Sequence, residues 1–360
     1  MFNDNFYRDL TIMIKRVTLL ALLGVSASSI ALADTYNPPA PAQPCNLMCT
    51  EAIPGGFYVG VTGIYAQPST SGIGQVLNSF QYQQADGQLL SQTKPVEPSN
   101  YGGIGAKAGY DFASSANSLE FDYLHFNSST SVGFDSAGLY SIGGIISPNI
   151  IFPDPSSVGA AGNEKLAYNL NQYDLWLAHT FGSSVSDFIF KPAIGIRYAS
   201  ISRNDTATSL SYNTVIGGGQ QSSDFQGLGP EMGFDAHYKL GYGFGVIGHF
   251  DDAVLASRIS DSGENISIPS FGLNSVLKLK DSNRVSNVVT ARLGADYQYV
   301  FTNGSSLGLE GGYQAMQYSN AFDIVQGDLN ITGPYEQHIT GVSSEDFSLR
   351  GPYLTLTYHV

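Results

Sequence analysis

Apolar and polar side chains alternate with a period of two in ten stretches of the chain. These lie at roughly 57–67, 101–111, 118–128, 168–181, 188–202, 224–238, 242–256, 287–301, 305–318 and 348–360. Such alternation gives a β-strand two faces in different surroundings. In 287–301 one face reads Val289, Ala291, Leu293, Ala295, Tyr297, Tyr299 and Phe301, and the other Thr290, Arg292, Gly294, Asp296 and Gln298. Leu119, Phe121 and Tyr123 stand against Glu120 and Asp122 in the same way, and Leu307, Leu309 and Tyr313 against Glu310 and Gln314. The last stretch sets Leu354, Leu356, Tyr358 and Val360 against Thr355, Thr357 and His359.

The gaps between these stretches alternate in length. Residues 112–117, 183–187, 239–241 and 302–304 read as short turns, whereas 68–100, 129–167, 203–223, 257–286 and 319–347 are long and rich in Gly, Ser, Asn and Pro. Both ends of the chain fall on the short-turn side. A soluble sandwich mixes loop lengths at its two ends, while a barrel crossing an outer membrane has short periplasmic turns and long external loops. The expected fold is all-β, a transmembrane antiparallel up-and-down β-barrel of about ten strands, with eight to twelve as the range. Leu210–Val215 and Asn265–Leu279 are candidates for extra β-hairpins above the membrane.

Composition supports a surface that faces something other than water. Charged residues are 13% of the chain, beside 41 Gly, 22 Tyr and 20 Phe, where a soluble domain has about a quarter charged. Beyond the leader no stretch approaches 18 uninterrupted apolar residues, so a spanning helix is not expected, and a closed barrel is the remaining way to pair every backbone polar group in lipid. Tyr110, Phe112, Tyr238, Tyr242, Tyr297, Tyr299 and Phe301 cluster beside short turns, which reads as an aromatic girdle.

The N-terminal segment has the parts of an export signal. Lys15-Arg16 precedes the apolar run Val17–Val25, and Ala31-Leu32-Ala33 is a small-x-small cleavage site. Residues 1–33 read as a signal peptide cut between Ala33 and Asp34. Residues 34–55 read as a Pro-rich periplasmic segment, and 56–360 as the barrel. Cys45 and Cys49 lie in that segment, and export makes a disulfide the default pairing, within the chain or to a neighbouring one. The formal charge is −14; residues 1–33 carry three basic and two acidic side chains, so their loss gives −15. An acidic surface does not favour nucleic acid. Lipid and lipopolysaccharide of the outer membrane are the expected partners, with a homo-oligomer and a host ligand of the external loops left open.

Several segments resemble the Legionella major outer membrane protein family. They include Leu119–His125, Phe225-Gln-Gly-Leu-Gly-Pro-Glu-Met-Gly-Phe-Asp-Ala-His-Tyr238, Gly241–Gly245, Ala291–Tyr297, Gly304–Tyr313 and Gly351–Tyr358. The chain ends in Val360, where barrel proteins commonly end in Phe. The resemblance implies an outer-membrane barrel with porin activity and surface exposure.

Inward-facing parity collects four basic groups, Lys107, Lys191, Arg197 and Arg292. It collects nine acidic ones, Asp111, Glu120, Asp122, Asp174, Glu231, Asp235, Asp251, Asp296 and Glu310, together with His249. Two arrangements fit such a lumen. Either water fills it and the excess acid favours cations, or the charges pair across a narrow bore and close it. The second leaves the barrel as a platform for its loops in surface or host interaction. The six histidines are scattered along the strands, so a catalytic triad is not expected, although His125 with His338 and loop acids leaves a rim hydrolase as a minor alternative. Phosphate-loop and zinc motifs are missing, so neither cofactor nor metal is expected and the chain reads as a non-enzyme. Within 129–167, the apolar run Ile145–Pro153 should find cover, on neighbouring loops or over the barrel mouth, with Pro148, Pro153 and Pro155 keeping it out of strand pairing.

Overall fold

The computed structural model describes residues 55–71, 77–83, 89–95, 98–113, 115–135, 140–145, 151–152, 160–182, 187–211, 214–268, 273–330 and 336–360. The leader, its cleavage site and both cysteines lie outside the described residues. Fifteen strands are described: β1 (Gly56–Ser71), β2 (Leu77–Gln83), β3 (Leu89–Pro95), β4 (Tyr101–Asp111), β5 (Asn117–Asp135), β6 (Tyr140–Ile145), β7 (Ile151–Phe152), β8 (Ala160–His179), β9 (Phe188–Ser211), β10 (Thr214–Gly241), β11 (Phe244–Ile268), β12 (Leu273–Lys278), β13 (Ser282–Val300), β14 (Ser306–Asn330) and β15 (Glu336–His359).

Ten of them close into an antiparallel barrel. The order runs β1-β4-β5-β8-β9-β10-β11-β13-β14-β15, and β15 returns to β1 through pairs such as Tyr58 with His359 and Ile64 with Tyr353. Closure leaves no unpaired edge, which is what a strand structure needs in lipid. β12 adds an eleventh strand on the outer end of β11, and β3-β2-β6-β7 form a separate four-stranded sheet.

The outward face carries the apolar belt. Phe57, Val59, Val61, Leu119, Phe121, Leu175, Ile194, Ile196, Leu293, Leu354 and Leu356 are exposed on it, and Tyr238, Tyr242, Phe244, Tyr299 and Phe301 ring its short-turn end. Lipid rather than water suits such a surface. On β9 the belt stops at Tyr198 and gives way to Ser200, Ser202, Asn204 and Thr206; on β10 it stops at Leu228 and gives way to Gln226, Asp224, Ser222 and Gln220. These strands therefore continue beyond the membrane.

That continuation corrects the long loops expected at 203–223, 257–286 and 319–347. β9, β10 and β11 have 24, 28 and 25 residues, and β14 and β15 have 25 and 24, where about 9–11 suffice to cross a bilayer. The outer arms pair as hairpins at both proposed places, Leu210 with Val215 and Asn265 with Val276. In the 129–167 connection, β5 reaches Asp135 and β8 starts at Ala160. Ile145 pairs with Ile151 and Gly144 with Phe152, so this run does enter strand pairing. Pro148, Pro153 and Pro155, outside the described residues, flank those pairs in sequence instead of interrupting them.

The inward face is layered. Ionisable side chains occupy the short-turn half, and above them Phe126, Leu170, Ile201, Phe225, Leu255, Val288, Phe322, Phe347 and Leu349 pack into one buried cluster across the lumen. Higher still, Arg203 sits near Asp205 and Glu345, at 3.9 and 3.8 Å, with Glu164 also buried. Asp205 lies above the belt, and burial raises its pKa against the opposing pull of Arg203.

Candidate functional site

Strand register places the inward charges side by side. Lys107 on β4 lies opposite Asp122 on β5, which faces Asp174 on β8, which faces Arg197 on β9. A second row runs from Lys191 on β9 through Asp235, His249 and Arg292 to Gln314 on β14. Asp296 and Glu310 are also direct neighbours. Two of these pairings, Asp122 with Asp174 and Asp296 with Glu310, set like charges together, so basic groups from other strands have to reach them.

Arg197 is the hub, with 1% of its side chain exposed. Its Nε donates to Asp174 Oδ1 at 2.8 Å and lies 3.1 Å from Glu231 Oε2, and its Nη1 donates to Asp251 Oδ1 at 2.9 Å. Three carboxylates on three strands thus share one guanidinium, whose planar fork of donors suits several acceptors at once. His249 bridges Asp235 at 2.5 Å through Nδ1 and Asp251 at 2.8 Å through Nε2. The chain continues upward, because Gln172 Nε2 donates to Asp174 at 2.5 Å and Tyr318 Oη donates to Gln172 Oε1 at 2.6 Å.

Nearer the short turns, Tyr58 Oη donates to Glu120 at 2.6 Å and Tyr353 Oη donates to Glu310 at 2.6 Å. Gly109 makes the first contact possible, since a Cβ there would fall 2.2 Å from the Tyr58 ring. His237 reaches Asp296 at 3.0 Å across β11 over Gly245, where a Cβ would lie 2.1 Å from the imidazole.

These side chains surround a cavity of about 310 Å³ within the lumen. Twelve of the fourteen lumen residues read from the sequence line it: Lys107, Asp111, Glu120, Asp122, Asp174, Lys191, Arg197, Asp235, His249, Asp251, Arg292 and Glu310. Glu231 and Asp296 do not, being held by Arg197 and His237. Tyr58, Trp176, Gln172, Gln314 and His359 also line the wall. Their inward parity was the available signal for them, but a selection restricted to charged groups passes them over. His125 lies on the opposite parity and bonds Asn171 at 2.9 Å, away from the lumen; the His338 side chain lies outside the described residues.

The cavity wall carries seven acids against four Lys and Arg, with His249 among them. Ile64 and Leu124 line its upper end, where the apolar cluster begins. Among the described residues no group of His, Cys, Asp and Glu has the geometry of a metal site.

Solved structures similar to this chain include the outer membrane protease OmpT from Escherichia coli, at 11% identity and TM-score 0.48, covering 88% of this chain and 100% of that one. The β domain of the Bordetella autotransporter Brka is similar at 10% identity and TM-score 0.31, covering 86% and 99%. The toluene transporter TodX of P. putida is similar at 6% identity and TM-score 0.25, covering 86% and 90%. A comparison with curated proteins finds no match. The family model described as Legionella pneumophila major outer membrane protein precursor matches residues 52–360, the whole barrel. The chain belongs to this family and is an outer-membrane β-barrel protein.

Proposed function

We propose that this barrel is a narrow channel for small cations, closed on its outer side in the conformation described. The observation that carries the reading is the lumen cavity of about 310 Å³ with seven acids against four Lys and Arg in its wall. Burying so many charges in a merely structural core costs more than apolar packing of the same volume, whereas a hydrated ion path has a use for them. The apolar cluster above the cavity supplies a hydrophobic constriction of the kind that gates by dewetting. His249 supports a non-catalytic lumen, since both its ring nitrogens are taken by carboxylates and neither is left to activate a nucleophile.

The second reading is a surface platform with a permanently filled lumen, and the complete burial of Phe126, Phe225 and Phe347 favours it. Liposomes loaded with a cation-sensitive dye separate the two. Cation entry through folded, reconstituted protein supports the channel. Tight liposomes containing folded protein leave the platform.

A further inference from the structure

The outer arms of β14 and β15 do not stand upright around the barrel mouth. Below, β14 pairs regularly with β15 up to Tyr318; the ladder then breaks and resumes at Phe322 with Glu345. Within the break Asn320 adopts φ of 54°, a left-handed conformation that turns the strand. Beyond it, Ala321, Phe322, Asp323, Ile324 and Val325 are all buried. A barrel strand buries every second residue, so five in succession mean protein on both sides.

Strands elsewhere in the ring supply that cover. Asp323 N donates to Ser223 Oγ at 3.2 Å, and Gln221 Nε2 donates to the Val325 carbonyl at 3.0 Å. Ser223 and Gln221 belong to β10, separated from β14 by β11 and β13 in the ring. The Phe322 ring lies 6.1 Å from Tyr168 on β8. At the near edge Arg284 Nη2 donates to Asp323 Oδ1 at 2.8 Å, and Ser282 Oγ donates to Asp323 Oδ2 at 2.9 Å.

We infer that the β14–β15 outer hairpin is a lid that turns about Asn320, with Asp323 and Arg284 as its latch. Its own ladder is unbroken from Phe322–Glu345 to Gln326–Gly341 and shifts register only beyond, at Gly327, so the part next to the hinge moves as one piece. The hydrogen bonds that hold it down at β10 and β13 are side-chain bonds, which break without dismantling any strand pairing. That the lid serves ion passage rests on the channel reading; that it moves does not.

Ser286 tests it. Its side chain is fully buried on β13, one inward position beneath Arg284, and bonded to Ser257 Oγ at 2.8 Å. With Cys45 and Cys49 replaced by Ser, Ser286→Cys is exposed to a polar maleimide in reconstituted, heat-modifiable protein. The rate is compared with that of Asn283→Cys on the exposed face, and after adding Arg284→Gln or, separately, Ile324→Ser. Labelling should be slow with the lid intact and about tenfold faster once the latch is lost, as expected for local opening released from a charge-assisted hydrogen bond. Equal rates in folded R284Q and I324S proteins, or intact-lid labelling as fast as at residue 283, would overturn the lid. Accelerated labelling without any ion current would keep the lid and remove the channel.

Discussion

Tyr318 Oη donates a 2.6 Å hydrogen bond to Gln172 Oε1 across the whole width of the barrel. Their strands, β14 and β8, stand five places apart in either direction around the ten-strand ring. The bond thus joins opposite walls and seats the apolar cluster on the charged network, since Gln172 passes it on to Asp174 and Arg197. Tyr318→Phe leaves Gln172 Oε1 buried without this donor. It should lower stability by about 1–3 kcal/mol, read as a shift in the urea midpoint of the refolded barrel in detergent micelles. An unchanged midpoint would mean that water or another donor already serves Gln172.

Arg197 is where the lumen is most sensitive. Arg197→Met keeps the bulk and removes the charge shared by Asp174, Glu231 and Asp251. Breaking a buried ionic cluster from one side costs about 3–5 kcal/mol. The variant should refold at much reduced yield, and Arg197→Met combined with Asp174→Asn and Asp251→Asn should recover part of it. Recovery checks that the loss comes from stranded carboxylates, because a packing defect would persist in the triple variant.

Above the lipid belt, Asp224 has its pKa raised by burial and by the nearby Asp261 carboxylate. A carboxylate with a raised folded pKa binds more protons folded than unfolded, so its contribution to stability falls as pH rises through that window. Lowering pH from about 7 to about 4 should therefore remove the penalty. Asp224→Asn should stabilise the barrel at neutral pH and lose that advantage on acidification. Urea midpoints of both proteins at the two pH values check the sign; a larger advantage at low pH would contradict it.

The N-terminal reading gives a mass prediction. Protein recovered from the envelope should begin at Asp34 and, if Cys45 and Cys49 bridge within one chain, gain about two mass units on reduction. Intact mass with and without reductant checks it, and a chain retaining Ala31–Ala33 or carrying two free thiols would refute it.

The membrane-crossing part of the fold was legible because lipid on one side and a charged lumen on the other impose opposite chemistry on successive residues. Leu293 and Asp296 could be assigned to faces for that reason. The same signal vanishes where strands leave the membrane. Along Gly217–Ser223 both faces are built from Gly, Gln and Ser, so strand and loop look alike in sequence, and β10 appeared to start at 224 instead of 214. At the lid, the run Ala321–Val325 was a visible apolar cue, but the expectation of a mouth cover fell on Ile145–Pro153. Parity identified the charged lumen residues, yet it gives no cross-strand register. The gathering of Asp174, Glu231 and Asp251 on Arg197 could not be read without the ladder. Tyr58 and Tyr353 share the inward parity, but a selection restricted to charged groups passes them over.

Reversal potential in a planar bilayer under a potassium chloride gradient tests the central claim most directly. The account predicts small, intermittent currents whose reversal potential has the sign of cation preference, reduced toward zero in Glu120→Gln/Asp122→Asn protein. A reversal potential favouring chloride in the unmodified protein, or a silent bilayer containing demonstrably folded barrel, would contradict it.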